Sequence, residues 1–125
     1  MVVLDAIICN NDRHFGNFGF LIDNATNKIV APALVFDHGN ALFNFAGKSD
    51  LINDEALTAY ADSLMPCVYD NFIAEAKAVM TPELQEEVRS LVNFKFKKNA
   101  RYNLDNERLK LIEKQVQKRA IALLS

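Results

Sequence analysis

Two polar clusters carry residue types suited to chemistry. Asp12, His14 and Asn17 lie in Asn10-Asn11-Asp12-Arg13-His14-Phe15-Gly16-Asn17-Phe18-Gly19-Phe20, and Asp37 and His38 lie in Phe36-Asp37-His38-Gly39. Both clusters adjoin apolar runs, and Asp, Asn and His are costly to bury unless something pairs with them. Asp12 and Asn17 have the Asp-x-x-x-x-Asn spacing of a phosphotransfer catalytic loop. There the Asp takes or orients the substrate hydroxyl proton and the Asn holds a metal ion. Asp37, with a glycine two residues on, stands where such enzymes keep the carboxylate that grips Mg²⁺ beneath the ATP phosphates. Phosphoryl transfer asks for alignment and charge neutralisation more than covalent help. Mg²⁺ prefers oxygen ligands and retains several waters, so one carboxylate and one amide oxygen are a sufficient protein share.

Plainer readings fit the same residues. Asp12 and Asn17 also suit a capped turn between helix and strand, a place both residue types favour. His14 reads three ways: as a structural hydrogen-bonder, as the proton acceptor, or as part of a transition-metal site with His38, Asp12 and Asp37. No His-x₃-His or Cys/His spacing accompanies that third reading. Arg13 either holds a phosphate or pairs with a carboxylate such as Asp5 or Asp37. Gly16 and Gly19 do not make a phosphate cradle. The chain has no Gly-x-Gly-x-x-Gly, no Gly-x₄-Gly-Lys-Ser/Thr and no strand lysine upstream of Asp12.

Several elements must position these clusters. Residues 1–9 read as the end of a buried helix, with Leu4, Ile7 and Ile8 at helical spacing. So apolar a beginning is expected to follow a preceding segment. Residues 17–22 and 28–31 read as the strands of a β-hairpin around the Asp23–Asn27 turn, stopped by Pro32. Ala33–Phe36 is a third apolar segment, expected to bring Asp37 to the end that holds Asp12. Helices are expected from Asn53 or Asp54 to Leu64, over 68–79, from the Thr81-Pro82-Glu83 start signal onward, and from Asp105 to Leu123. The fold class is α+β, mostly helical, a short hairpin followed by about four helices in one domain, 1–125.

Composition is that of an ordinary globular chain, 50% hydrophobic and 24% charged with net charge −2. So neutral a balance gives no overall electrostatic footprint for nucleic acid. The basic run Lys95, Lys97, Lys98 and Arg101, interleaved with Phe94, Phe96 and Tyr102, reads at helical spacing as core Phe side chains beside a solvated cationic face. Single-stranded nucleic acid is its lesser reading. Cys9 and Cys67 are expected as two buried, reduced thiols. No run reaches membrane length, no basic leader precedes the apolar start, and the expected location is cytoplasmic.

The segments Asn10–Phe20 and Ala31–Phe43 together resemble the HipA-like family of bacterial serine/threonine kinases. They are similar, more distantly, to the Asp-Arg-His-x-x-Asn loop of phosphatidylinositol kinases. The resemblance implies Asp12 as catalytic base, Asn17 and Asp37 as Mg²⁺ ligands in an ATP-dependent kinase, and His14 as a neighbour of variable role. It implies that 1–125 is the rear of the larger lobe of a protein-kinase-like fold, without the ATP-clamping lobe. The isolated chain is therefore expected to bind Mg-ATP weakly and to be inactive. Its expected partners are that lobe, a protein substrate, or a second copy docked on an exposed apolar face. Two other readings stand beside it: a non-catalytic helical interaction or dimerisation module, and a metal-dependent hydrolase using Asp12, His14, Asp37 and His38.

Overall fold

A computed structural model describes residues 1–125. The elements run α1 (Val2–Ile8), β1 (Phe20–Asp23), β2 (Lys28–Pro32), α2 (Asp54–Ser63), α3 (Phe72–Ala78), α4 (Pro82–Ser90) and α5 (Asn106–Leu124). The fold is a small α+β arrangement, mostly helical, with a β-hairpin ahead of most of the helices. No helix is long and apolar enough to cross a membrane.

Helix α5 is the organising element, packing against α1, α2, α3 and α4, while α1 also packs on α3. Ile112, Val116, Ala120 and Leu123, spaced at three and four residues, form its buried stripe. They meet Val3 and Ala6 of α1, Leu57 and Ala61 of α2, Phe72 and Ala76 of α3, and Val88 of α4 in one core. Arg119 adds polar ties: its Nε donates to the Ala6 carbonyl, and its guanidinium lies 5.2 Å from the Phe72 ring centroid.

Side-chain caps set where the later helices begin. Asn53 Oδ1 accepts from Ala56 N–H at 2.8 Å, and Asp105 accepts from the N–H groups of Glu107 and Arg108. Thr81 Oγ1 accepts from Leu84 N–H ahead of Pro82 at the first helical position. Each such cap contributes about 1 kcal/mol. The helix expected over 68–79 is shorter, Phe72–Ala78, because Asn71 is extended and takes the cap position, accepting from Ala74 N–H at 2.9 Å.

The hairpin is also shorter than expected at its start. Asn17 is drawn back into the preceding loop by its own side-chain bonds, so β1 begins at Phe20. The register runs Phe20↔Pro32, Leu21↔Ala31, Ile22↔Ile29, which leaves Val30 as the extra residue of a bulge. Pro32 is the last strand residue, where no further ladder donation is required of it. Neither strand packs on a helix. Phe20, Leu21, Ile22, Ile29 and Val30 are all exposed, so both faces of the hairpin present apolar side chains to solvent. Residues 33–36 form no strand, and Leu34 is 89% exposed.

Two further expectations are corrected. Lys95–Arg101 is irregular, not helical. It is strapped to α5 by Glu113, which accepts from Lys95 Nζ and Phe96 N–H, both at 2.9 Å. Cys9 is buried, but Cys67 is exposed, because it falls in the turn between α2 and α3, not on a core-facing stripe.

Candidate functional site

The site is built outward from Asp5. Helix α1 carries this residue into the interior at 0% exposure, and the helix ends at Cys9 in the left-handed region with φ 55°. That turn folds residues 10–17 back over the carboxylate. Arg13, 1% exposed, then meets Asp5 through two parallel bonds, Nε to Oδ2 and Nη2 to Oδ1, each 2.9 Å. Its remaining donors are also engaged. Nη1 donates to the carbonyls of Asn17 at 2.9 Å and Phe36 at 2.6 Å, and Nη2 to His38 Nδ1 at 3.1 Å. A guanidinium has five N–H groups, and here all five have acceptors. Lysine has neither the number nor the planar fork to replace it. The Asp5 bond holds the Arg13 pKa above its ordinary value, with the charges of Asp5 and Asp37 adding to the effect against the cost of burial.

Asn10 works beside it. Its Nδ2 donates to Asp5 Oδ1 at 3.2 Å and to the Asp37 carbonyl at 3.4 Å, while its Oδ1 accepts from Asp12 N–H at 3.3 Å. Arg13 and Asn10 thus hold the 36–38 segment against the 10–17 loop through main-chain carbonyls. The two polar clusters meet, and no strand pairing is needed to bring them together.

The sequence-predicted residues divide into structural and open groups. Asn17 is buried; its Oδ1 accepts from His14 N–H at 3.0 Å and its Nδ2 donates to the Asp12 carbonyl at 2.8 Å. That is the capped turn, and it leaves the amide oxygen one further lone pair. His14 is exposed, with Nδ1 accepting from Gly16 N–H at 3.0 Å, so its ring proton resides on Nε2. A Cβ at Gly16 would stand 3.0 Å from the His14 ring, so a larger residue there would push the ring aside. Asp12 and Asp37 are both exposed. The ion pairs of the chain are Asp5–Arg13, Glu86–Arg89, Glu113–Lys95 and Asp54–Lys118, so both carboxylates stand outside them. Asp37 has φ 60°, a left-handed conformation that Asp tolerates better than most residues. No three His, Cys, Asp or Glu side chains converge as a ready metal-binding group.

No family model, curated protein or solved structure matches this chain.

Three features of the site escape a reading of residue types alone. Asn10 is a linker between the two clusters, although it has no role in the catalytic spacing. Tyr69 lies close enough to feel the charges of Asp5 and Arg13, and its buried hydroxyl has no partner. Burial chiefly, with Asp5 adding, pushes its pKa up to about 12. Finally, Leu42 and Phe43 hold φ values of 53° and 59°. Consecutive non-glycine residues in that region store about 1–3 kcal/mol each. They are held by the Leu42 N–H bond to the Ile8 carbonyl, the buried Phe43 ring and Arg108 on the Phe43 carbonyl. Only the polar run Asp37–Asn40 just before them signals an irregular turn in the sequence.

Proposed function

We propose that this chain is the catalytic-loop and metal-loop part of a HipA-like kinase, whose complete form transfers the γ-phosphate of ATP to a protein serine or threonine. The observation that carries the proposal is the pair of bonds from one guanidinium nitrogen, Arg13 Nη1, to the carbonyls of Asn17 and Phe36. They bind the end of the proposed catalytic loop to the start of the proposed metal loop. The Asp5–Arg13–Asn10 knot is then the rigid support, and the exposed carboxylates of Asp12 and Asp37 are the working groups.

Asp12 is the proton acceptor for the substrate hydroxyl in this reading. His14 is less suited, because its Nδ1 already accepts from Gly16 and its Nε2 carries the proton. Asp37 and the free lone pair of Asn17 supply oxygen donors, the type Mg²⁺ prefers. When bound, Mg²⁺ with ATP would neutralise phosphate charge at that end of the site. Bare solvent access around Asp12 and Asp37 gives no second wall to close on a nucleotide, so binding of Mg-ATP by the chain alone is weak and turnover absent.

Paramagnetic Mn²⁺ titrated into the isotope-labelled chain tests the shared site. Selective broadening of amides in both 12–17 and 36–39, abolished in Asp37→Ala, is the expected result. Broadening confined to one bend, or unchanged in Asp37→Ala, would remove the mechanism.

A second reading rests on a different observation. Both faces of the hairpin are apolar and exposed and no helix covers them, which suits a non-catalytic interaction module that docks on another protein surface or a second copy.

A further inference from the structure

Beside the metal-loop turn lies a cleft of about 470 Å³ between residues 38–44 on one side and 96–104 with the start of α5 on the other. Its volume is within the range of small-molecule sites, about 300–1,000 Å³. Its charge is one-sided. Lys97, Lys98 and Arg108 are among the fifteen lining residues and no Asp or Glu is, in a chain whose net charge is −2. Lys97 and Arg108 stand outside every ion pair, and Lys98 bonds only to the Asn106 amide oxygen at 2.9 Å. The acids flanking this wall are Asp105, engaged in capping α5, Glu107, exposed beside Arg108, and Glu113, bonded to Lys95 and the Phe96 N–H; none lines the cleft.

The lining is also rich in donors that lack acceptors. Arg108 is anchored through Nη2 to the Phe43 and Asn44 carbonyls, while its shielded Nε has no partner at all. His38, also in the lining, accepts from Arg13 on Nδ1, because arginine can only donate; its Nε2 therefore carries a proton. An apolar half complements the cations. Tyr102, 81% exposed, and Phe96, in an edge-on pair with Phe94 at 4.8 Å, both line it. The opposite wall includes Leu42, which with Phe43 forms a consecutive left-handed non-glycine pair.

We propose that this cleft binds a small phosphate monoester with a planar, largely apolar body. The dianion and its three terminal oxygens meet Lys97, Lys98 and Arg108, and the planar body lies on Tyr102. A phosphate satisfies several converging donors where a single carboxylate offers only two oxygens. Exposed aromatic faces stack flat rings. The proposal rests on the cleft alone and needs neither Asp12 nor Asp37.

Calorimetric titration of the full chain with adenosine 5′-monophosphate, in EDTA, is the test, with adenosine and inorganic phosphate as separate probes. Saturable binding of the monophosphate, weaker binding of inorganic phosphate and none of adenosine are expected. Lys97→Glu should weaken the monophosphate about tenfold or more, and Tyr102→Ala about threefold or more. Both residues are exposed, and neither holds the chain's helices together, so circular dichroism should match the native protein. Absence of saturable binding, binding indifferent to both substitutions, or binding that requires Mg²⁺ would each overturn the assignment. Inorganic phosphate binding as tightly as the monophosphate would overturn the stacking half of it. None of these outcomes alters the Mn²⁺ result expected at 12–17 and 36–39, so the two proposals fail separately.

Discussion

The knot around Arg13 and the hairpin that follows it reverse the usual distribution of side chains. In the knot, an aspartate, two asparagines and an arginine are buried. A few residues away, phenylalanine, leucine, isoleucine and valine face solvent on both sides of a two-stranded ribbon. The difference is one of direction. Buried hydrogen bonds hold atoms at fixed distances and angles, which apolar packing does not. An exposed apolar ribbon fixes nothing by itself, and an isolated two-stranded hairpin is marginal in water. The knot defines geometry; the ribbon offers adhesion.

The largest effect that would break this comparison is at Arg13. Arg13→Gln leaves Asp5 as a buried charge without its partner, and destabilisation of about 3–5 kcal/mol in urea unfolding is expected. Replacing both partners, as in Asp5→Leu with Arg13→Met, should recover much of that loss, because the uncompensated charge is gone. If the double variant is no better than the single one, charge burial is not the source of the cost. Asn17→Ala comes next. It removes the bonds to His14 N–H and the Asp12 carbonyl, and a loss of about 1–3 kcal/mol is expected, with amide shifts concentrated in 12–17.

A smaller, pH-dependent effect belongs to the strap over α5. Lys95, donating to Glu113, holds that carboxyl below the usual range, with the Phe96 N–H helping against the cost of desolvation. A depressed folded-state pKa adds stability that is present above the unfolded value, near 4.5, and lost as pH falls through the lowered one. Glu113→Gln should lower stability at neutral pH and flatten its acid titration in that window, the variant and native protein converging at low pH. The smallest effect on stability is expected in the ribbon. Leu21→Lys with Val30→Lys should move unfolding by no more than about 0.5 kcal/mol, yet reduce self-association in sedimentation equilibrium. A large loss of stability there would mean that the ribbon is part of the core after all.

Much of the helical half was readable from residue types. Thr81-Pro82 and Asn53 announce helix starts by chemistry that acts locally, and the stripe Ile112, Val116, Ala120 and Leu123 is a periodicity. Asn71 shows the limit: an asparagine within an apolar-periodic stretch can be a helix residue or its cap, and only the conformation of the turn between α2 and α3 decides. Cys67 fails for the same reason. At the site, the sequence narrowed the partner of Arg13 to Asp5 or Asp37. The geometry assigns the ion pair to Asp5 and gives the Asp37 segment a different hold, through the His38 ring and the carbonyl oxygens of Phe36 and Asp37. Main-chain acceptors leave no trace in residue identity, which is why the joining of the two bends was expected but its means was not. The 38–104 cleft was equally hidden, because its walls come from segments far apart in the chain, one of them a strained turn that the sequence barely marks.

Nuclear magnetic resonance of the arginine side chains tests the central claim most directly, in the native protein without substitution. Arg13 should show resolved, slowly exchanging guanidinium protons, restricted rotation about Nε–Cζ, and couplings across hydrogen bonds to the carbonyl carbons of both Asn17 and Phe36. Averaged Nη signals from a freely rotating guanidinium, or a coupling to Asn17 without one to Phe36, would contradict the account.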